Sequence, residues 1–203
     1  MTTGLEALRR VYEVGLLLLF ALVLARSWRT RGPALTVREL AFGFAVSQTI
    51  ELLAVALGRY SYPDWLVYFP PRPALVPLGI GLGWAALLPC VMRVSERIGG
   101  PSAKPASLAA LDGAMAVGLD LVLDPAVSGE PLRMWLWAGD GMIKYRYWLL
   151  GVPVFNFVGW FLLVAACSLQ LRWVELTRRG WPWLGIFFAL NLAIAAAVMV
   201  LPW

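Results

Sequence analysis

The sequence predicts an all-α, polytopic membrane protein with about six transmembrane helices, which form a single domain over residues 1–203. Hydrophobic residues make up 61% of the chain. Charged residues make up 14%, well below the roughly 25% that is usual in soluble domains. Apolar windows of about 20 residues, long enough to cross a ~30 Å hydrocarbon core, can be placed six times along the chain.

The six windows predict helices 1 to 6, and charged, Pro-rich or Gly-rich connections separate them. Helix 1 is the least regular, because Arg9, Arg10 and Glu13 lie inside its window. We predict a retained helix there rather than a cleaved signal peptide, since no small-residue cleavage site follows its apolar core. In chain order the windows are 5–25, 37–58, 74–94, 106–123, 151–173 and 183–201.

Positive charges predict the orientation of these helices. Lys and Arg are more numerous in the connections 26–38, 93–104 and 172–179 than on the opposite side. The positive-inside rule then puts both termini and the connection 125–150 outside the cytoplasm, in a protein of the cell (inner) membrane. Topology and lipid headgroups account for the basic residues, and we expect no nucleic-acid partner.

Histidine is absent from the chain. This absence excludes His-rich di-iron sites, His-ligated haem, Ser-His-Asp hydrolysis and most zinc chemistry, all of which need imidazole. We therefore expect acid–base chemistry from carboxylates, tyrosines or water, without a cofactor or a metal. Cys90 and Cys167 fall inside predicted helices, where we interpret them as small buried apolar residues.

Two segments of the chain are similar to each other. "VPLGIGLGW" at 76–84 and "VPVFNFVGW" at 152–160 share Val, Pro, Gly and Trp at the same four offsets. Each begins a predicted helix with Pro in its first turn, and each follows a helix that carries acids toward its end. We predict that helices 2–3 are duplicated as helices 4–5 about an axis along the membrane normal, with coincidence as the alternative.

Carboxylates inside predicted helices need an explanation, because a charge at a helix centre costs about 2.5 to 3.5 kcal/mol on insertion scales. Asp120 and Asp124 are four residues apart and share a helix face. Helix rise puts Glu51, Asp120 and Asn156 at similar depths from the same membrane surface. The sequence therefore predicts that three helices bring polar groups together there.

Structural interpretations of the same acids remain open at this stage. Glu51 and Asp120 could each form a buried ion pair with an arginine such as Arg59. Asp124, which precedes a proline, could be a residue that stabilises a helix end. Asp112, near the start of helix 4, is expected at the membrane interface.

The connections on the acid-bearing side are rich in aromatic residues. "GRYSYPDW" at 58–65 and the connection 124–148 mix Tyr, Trp, Gly, Arg and acids. An interfacial aromatic belt accounts for part of this composition. The dense "MWLW" favours a lid or re-entrant segment within 125–150, where Trp135, Trp137, Tyr60 and Tyr62 would line an apolar slot with a few polar tips.

Five segments in this order resemble a family of integral-membrane carotenoid biosynthesis proteins, whose characterised members are carotenoid 1,2-hydratases of the bacterioruberin and acyclic-carotenoid type. The resemblance covers residues 43–173. It implies a cofactor-independent hydro-lyase that acts on an acyclic carotenoid or another polyisoprenoid in membrane lipid. The segments are "IELLAVALGRYSYPD", "VPLGIGLGW", "LDLVLDPAV", "MWLW" and "YWLLGVPVFNFVGW".

Hydration of a terminal alkene requires an acid, a shielded carbocation and a placed water. The depth of the polar groups, the repeat and the resemblance together indicate which residues supply them. Glu51 and Asp120 are the expected acid and base, in either order, with Asp124 as the alternate partner. Aromatic faces would stabilise the cation, and polar side chains would position the water. The expected substrate-binding residues are Tyr60, Tyr62, Trp84, Trp135, Trp137, Asn156 and Trp160.

Two other functions fit the same residues. A membrane carotenoid cyclase would use the same protonation step, after which an internal double bond captures the cation. A non-catalytic lipid or pigment binding or transport protein would also carry acids within the membrane. Small-residue runs at 79–83 and 193–197 would permit close helix packing, including packing in a homo-oligomer.

Overall fold

A computed structural model of the chain describes residues 2–63, 65–69, 76–138 and 145–200. Five of the helices in these ranges, α2 to α6, are long and apolar enough to cross a membrane, which confirms the predicted all-α polytopic fold. The span of α1 stays a prediction. The helices are α1 (Thr2–Arg31), α2 (Pro33–Ala56), α3 (Leu78–Gly99), α4 (Pro105–Ser128), α5 (Val154–Leu176) and α6 (Trp181–Val200).

Several helices begin or end at residues outside the apolar windows. Helix α1 continues past the predicted end at Ala25 to Arg31, and Gly32, with φ of 82°, separates it from α2. Helix α4 continues through Pro125 to Ser128 instead of ending at residue 123. Hydropathy marks the part of a helix that suits lipid, whereas the backbone hydrogen bonds continue into polar residues.

Short strands join the connections at one end of the helix bundle. Strand β1 (Tyr60–Ser61), after α2, pairs antiparallel with β2 (Leu136–Trp137), after α4. Strand β3 (Trp148–Leu149) pairs antiparallel with β4 (Val152–Pro153), just before α5. We call this the ribbon end of the bundle. Residues 139–144, part of the predicted lid, lie outside the described residues.

Helices α3 and α5 begin in the same way. The backbone N–H of Leu78 donates to the carbonyl of Val67 at 2.9 Å, and that of Val154 donates to the carbonyl of Tyr147 at 3.0 Å. The sequence predicts the repeat prolines in the first turn of each helix. They lie instead immediately before that turn, at the N-cap. Because proline has no N–H, it fits this position without losing a helical hydrogen bond.

The two similar segments meet inside the bundle. Trp84 and Trp160, which correspond in the repeat, pack with ring centroids 4.1 Å apart. Helix α2 packs against α3, and α4 packs against α5. Strands β1 and β2, which follow the two corresponding helices, also pair with each other. Contacts between corresponding positions are expected near a two-fold axis, so this geometry supports the predicted duplication.

A buried ion pair joins three helices away from the ribbon end. Arg172 on α5 donates from Nη1 to Oδ2 of Asp112 on α4 at 2.6 Å, and from Nη2 to Oγ of Ser95 on α3 at 2.9 Å. Asp112 is 0% exposed. A cation from another helix therefore compensates the burial of Asp112 within the protein, and its expected place at the membrane interface stays a prediction.

The two cysteines differ in exposure. Cys167 is buried, as expected, whereas Cys90 is exposed on α3. The interpretation of Cys90 as a buried residue is therefore wrong. Its side chain points into a gap between helices rather than into the packed core.

Removing the carboxylate of Asp112 should destabilise the bundle. We expect Asp112→Asn to cost about 3 to 5 kcal/mol of unfolding free energy, since it leaves the buried guanidinium of Arg172 without this counter-charge. Unfolding by denaturant in detergent measures the effect. The matched control is Glu130→Gln, which breaks an exposed pair with Arg133 and should cost at most about 1 kcal/mol. Equal stabilities of the two variants would contradict the prediction.

Candidate functional site

Glu51 is the first element of the candidate site and lies near the ribbon end of α2. Its side chain is buried. The hydroxyls of Tyr60 and Tyr62 both donate to its Oε2, the second at 2.6 Å. The indole N–H of Trp84 donates to Oε1 at 3.3 Å. Both oxygens of this buried carboxyl group are therefore hydrogen-bonded by aromatic side chains.

The chain after α2 places the two tyrosines beside Glu51. Gly58, with φ of 66°, allows the backbone to turn where the helix ends. The extended segment that follows contains β1, and residues two apart in such a segment point to the same side. Tyr60 and Tyr62 therefore both reach Glu51, which lies one to two turns back in α2.

Both tyrosines lie in the connection, and both are expected to remain protonated. Burial first, and then the nearby charge of Glu51, raise the pKa of Tyr60 and that of Tyr62 well above the ordinary value of 10.0. Neither hydroxyl therefore releases its proton near neutral pH. The two groups act as fixed hydrogen-bond donors to the carboxyl group.

Asp120, Asp124 and Asn156 form the second element of the site. Both aspartates are buried on one face of α4. The amide nitrogen of Asn156, in the first turn of α5, donates to Oδ2 of Asp120 at 2.8 Å and to Oδ2 of Asp124 at 2.6 Å. Because α4 continues beyond it, Asp124 is not the helix-end residue considered above.

A cavity of about 370 Å³ lies between α1, α3, α4 and the connections of the ribbon end, and we call it the lateral cavity. Nine of the ten predicted site residues line it. Asp120 is the exception, since it lies behind Asn156 and Asp124. The nine are Glu51, Tyr60, Tyr62, Trp84, Asp124, Trp135, Trp137, Asn156 and Trp160.

Aromatic rings form a continuous wall on the ribbon side of this cavity. Tyr60 meets Trp137 edge to face, with centroids 5.2 Å apart, and meets Tyr62 at 5.5 Å. Tyr62 in turn meets Trp135 at 6.2 Å. These contacts fix the rings around the carboxyl groups.

Residues 134–138 of the predicted lid are hydrogen-bonded to the connection after α2. The indole N–H of Trp65 donates to the carbonyl of Met134 at 2.7 Å. The N–H of Ala138 donates to the carbonyl of Arg59 at 3.1 Å. These bonds and the β1–β2 pairing hold residues 134–138 at the ribbon end.

Arg59 does not form the buried ion pair with Glu51 or Asp120 that the sequence left open. Its guanidinium carbon lies 5.8 Å from the ring centroid of Tyr145 and 5.6 Å from that of Phe155. These are cation–π distances. The carboxyl groups of the site are thus held by neutral donors and not by this arginine.

Sequence reasoning missed the contribution of α1. Tyr12 and Leu16 of α1 line the lateral cavity. Tyr12 also meets Trp65 edge to face, with centroids 6.1 Å apart. Glu13, which is buried, accepts the backbone N–H of Leu66 at 2.7 Å. Acids and a tyrosine inside an otherwise apolar window were the signal that this helix contacts the site.

The donor groups of the site do not form a recognisable metal centre. Within the described ranges, no group of three or more Cys, Asp or Glu side chains has the arrangement of a metal site.

Comparison with known proteins identifies the family. No curated protein and no solved structure matches the chain. A family model described as "Carotenoid biosynthesis protein" matches residues 11–201. The match extends from α1 to the end of α6 and includes every residue of the candidate site. The chain therefore belongs to the carotenoid biosynthesis protein family, and its role is in carotenoid biosynthesis.

Proposed function

We propose that the protein is a carotenoid hydratase, which adds water across the terminal double bond of an acyclic carotenoid end. The observation that carries this proposal is a set of buried carboxyl groups, each bonded by neutral donors, beside an aromatic-lined cavity. A carboxylic acid, a carboxylate and aromatic faces are sufficient for this reaction. Membership of the carotenoid biosynthesis protein family supports a long polyene as the substrate.

The reaction begins with proton transfer to carbon. The acid gives its O–H proton to the less substituted carbon of the terminal double bond, whose π electrons form the new C–H bond. A tertiary carbocation remains on the neighbouring carbon. Burial among apolar side chains favours the neutral form of a carboxylic acid, which makes a proton available for this step.

The cation then needs protection and a water molecule. Ring faces of Tyr60, Trp135 and Trp137 would stabilise the positive charge through their quadrupoles. The oxygen of water forms the C–O bond, and a carboxylate accepts the proton that this oxygen releases. Tyr62 and Asn156, which already donate to carboxyl groups at the cavity wall, would position the water.

Glu51 and Asp124 are the favoured acid and base, since both line the lateral cavity. Asp120, the partner expected from sequence, does not line this cavity and is therefore not assigned as the acid or the base. Asp120 shares the amide of Asn156 with Asp124, and two like charges this close in an apolar setting cannot both form at low cost. Asp120 would therefore act as a positioning residue that keeps a proton near Asp124.

The product identifies the reaction. We expect that expression in a bacterium that makes an acyclic carotenoid such as lycopene yields a pigment heavier by one water, measured by liquid chromatography and mass spectrometry. An isomer of unchanged mass would replace hydration by cyclisation. Unaltered pigment with every acyclic carotenoid tested would favour binding or transport, and would contradict the proposal.

Neutralising the two cavity carboxyls should remove activity. We expect Glu51→Gln and Asp124→Asn each to lower the rate by about 10²- to 10⁴-fold, since general acid–base groups contribute that much. The rate is measured per amount of folded protein in detergent. Glu175→Gln is the control, because its carboxylate is exposed and pairs with Arg31. Full activity in either site variant would remove that residue from the mechanism.

A further inference from the structure

Two cavities reach the candidate site from opposite sides of the bundle. The lateral cavity of about 370 Å³ extends outward between α1, α3 and α4. A smaller cavity of about 60 Å³ lies between α2, α5 and α6. Both are lined by Glu51, Tyr60, Trp84, Asn156 and Trp160, so the two cavities meet at Glu51.

The repeat relates the two cavities to each other. Gly83, which precedes Trp84, lines the lateral cavity, and Gly159, which precedes Trp160, lines the smaller one. The outer helices distinguish them. Helix α6 packs against both α5 and α2 and lines the smaller cavity. Helix α1 packs against α2 and α3, and within the described residues it makes no comparable interface with α4.

The mouth of the lateral cavity faces the lipid. It is lined by Leu19 of α1, Cys90 of α3 and Leu119 of α4, all of which are exposed at the bundle surface. Cys90 lies six residues beyond Trp84, and Leu119 lies five residues before Asp124. At the rise of a helix the mouth is therefore about 7 to 9 Å from the polar groups, toward the bilayer middle.

The lining of this cavity changes from its mouth to its inner end. Leucines line the outer part, on α1, α3 and α4, whereas Glu51, Asp124 and Asn156 lie at the inner end among aromatic rings. The volume is at the lower end of the roughly 300 to 1,000 Å³ found for ligand pockets. It suits one end of a long chain and leaves the rest of that chain in lipid.

We propose that the gap between α1 and α4 is a lateral portal, through which one end of a linear polyene enters from the bilayer. The end group lies against Glu51 and Asp124, and the remainder of the chain passes out between Leu19 and Leu119. The identity of the occupant rests on the proposed function. The smaller cavity, of about 60 Å³, has roughly one sixth of the volume of the lateral cavity and does not admit the polyene.

Two corresponding glycines test which cavity holds the substrate. A Cβ at Gly83 would lie 3.1 Å from Cδ2 of Leu16, a side chain that can move, and a Cβ at Gly159 would meet nothing within 4 Å. We expect Gly83→Leu to lower turnover of an acyclic carotenoid at least about tenfold, since added methylenes obstruct the pocket. Gly159→Leu should retain activity within about twofold, because it changes the other cavity.

A larger loss of turnover in Gly159→Leu than in Gly83→Leu would overturn the portal. Equal losses in both would also contradict it, provided that both proteins are folded. Thermal unfolding in detergent checks that both variants are folded. Leucine is a better helix former than glycine, so helix propensity does not predict unfolding at either position.

Cys90 provides a test that does not depend on hydration. In detergent at a pH of about 8.5, where water reaches the surface of the bundle and takes the thiol proton, we expect pyrene maleimide to label Cys90 and not the buried Cys167. An added acyclic polyene should slow this labelling, whereas squalane, which is similarly long but saturated, should not. The control is Cys90→Ala with Ile186→Cys on α6, where 56% exposure permits labelling and the polyene should give no protection.

The outcomes separate the portal from the chemistry. Protection of Cys90 by the polyene without any hydrated product would contradict the proposed function and leave the portal intact. Hydrated product together with unprotected Cys90 would overturn the portal and leave hydration intact. Equal protection by squalane would mean that lipid chains alone fill the gap, which would contradict selective entry of a polyene.

Discussion

The burial of carboxyl groups among apolar side chains is the constraint on which the ribbon end of this bundle depends. A carboxyl group within a membrane protein is costly unless its oxygens are hydrogen-bonded. Tyr60, Tyr62 and Trp84 supply those bonds to Glu51, and Asn156 supplies them to Asp120 and Asp124. The donors come from connections and from the starts of helices, so the site fixes how these segments fold.

The duplicated arrangement explains why one site forms instead of two. Corresponding helices bring Glu51 on one side and the aspartates on the other to the place where Trp84 and Trp160 touch. The surrounding helices are not equivalent, because α6 packs against α5 and α2 beside a cavity of about 60 Å³, whereas α1 packs against α2 and α3 beside one of about 370 Å³. With the proposed portal, this near-symmetric centre has one direction of access, and the two kinds of carboxyl group have different surroundings.

Sequence alone was sufficient for the fold class and for naming most of the residues that line the lateral cavity. Hydropathy located α2 to α6. The depth of the acids, the aromatic connections and the family resemblance together named nine residues that line one cavity. Contacts between distant segments were not predictable. Arg172, which neutralises Asp112, is 60 residues away, and the outward direction of Cys90 depends on how α3 packs. Which of Asp120 and Asp124 reaches the cavity depends on the rotation of α4, and a spacing of four residues cannot distinguish them.

The pairing of β1 with β2 has a mechanical consequence. Tyr60 belongs to β1 and pairs with Trp137 of β2, and its hydroxyl also bonds Glu51. Strand β1 at the ribbon end thus supplies part of the hydrogen bonding of the Glu51 carboxyl group. A hinge motion that lifts the paired strands β1 and β2 together, and so admits bulk solvent, also detaches the Tyr60 hydroxyl from Glu51. Access from the aqueous side and an assembled site therefore exclude each other.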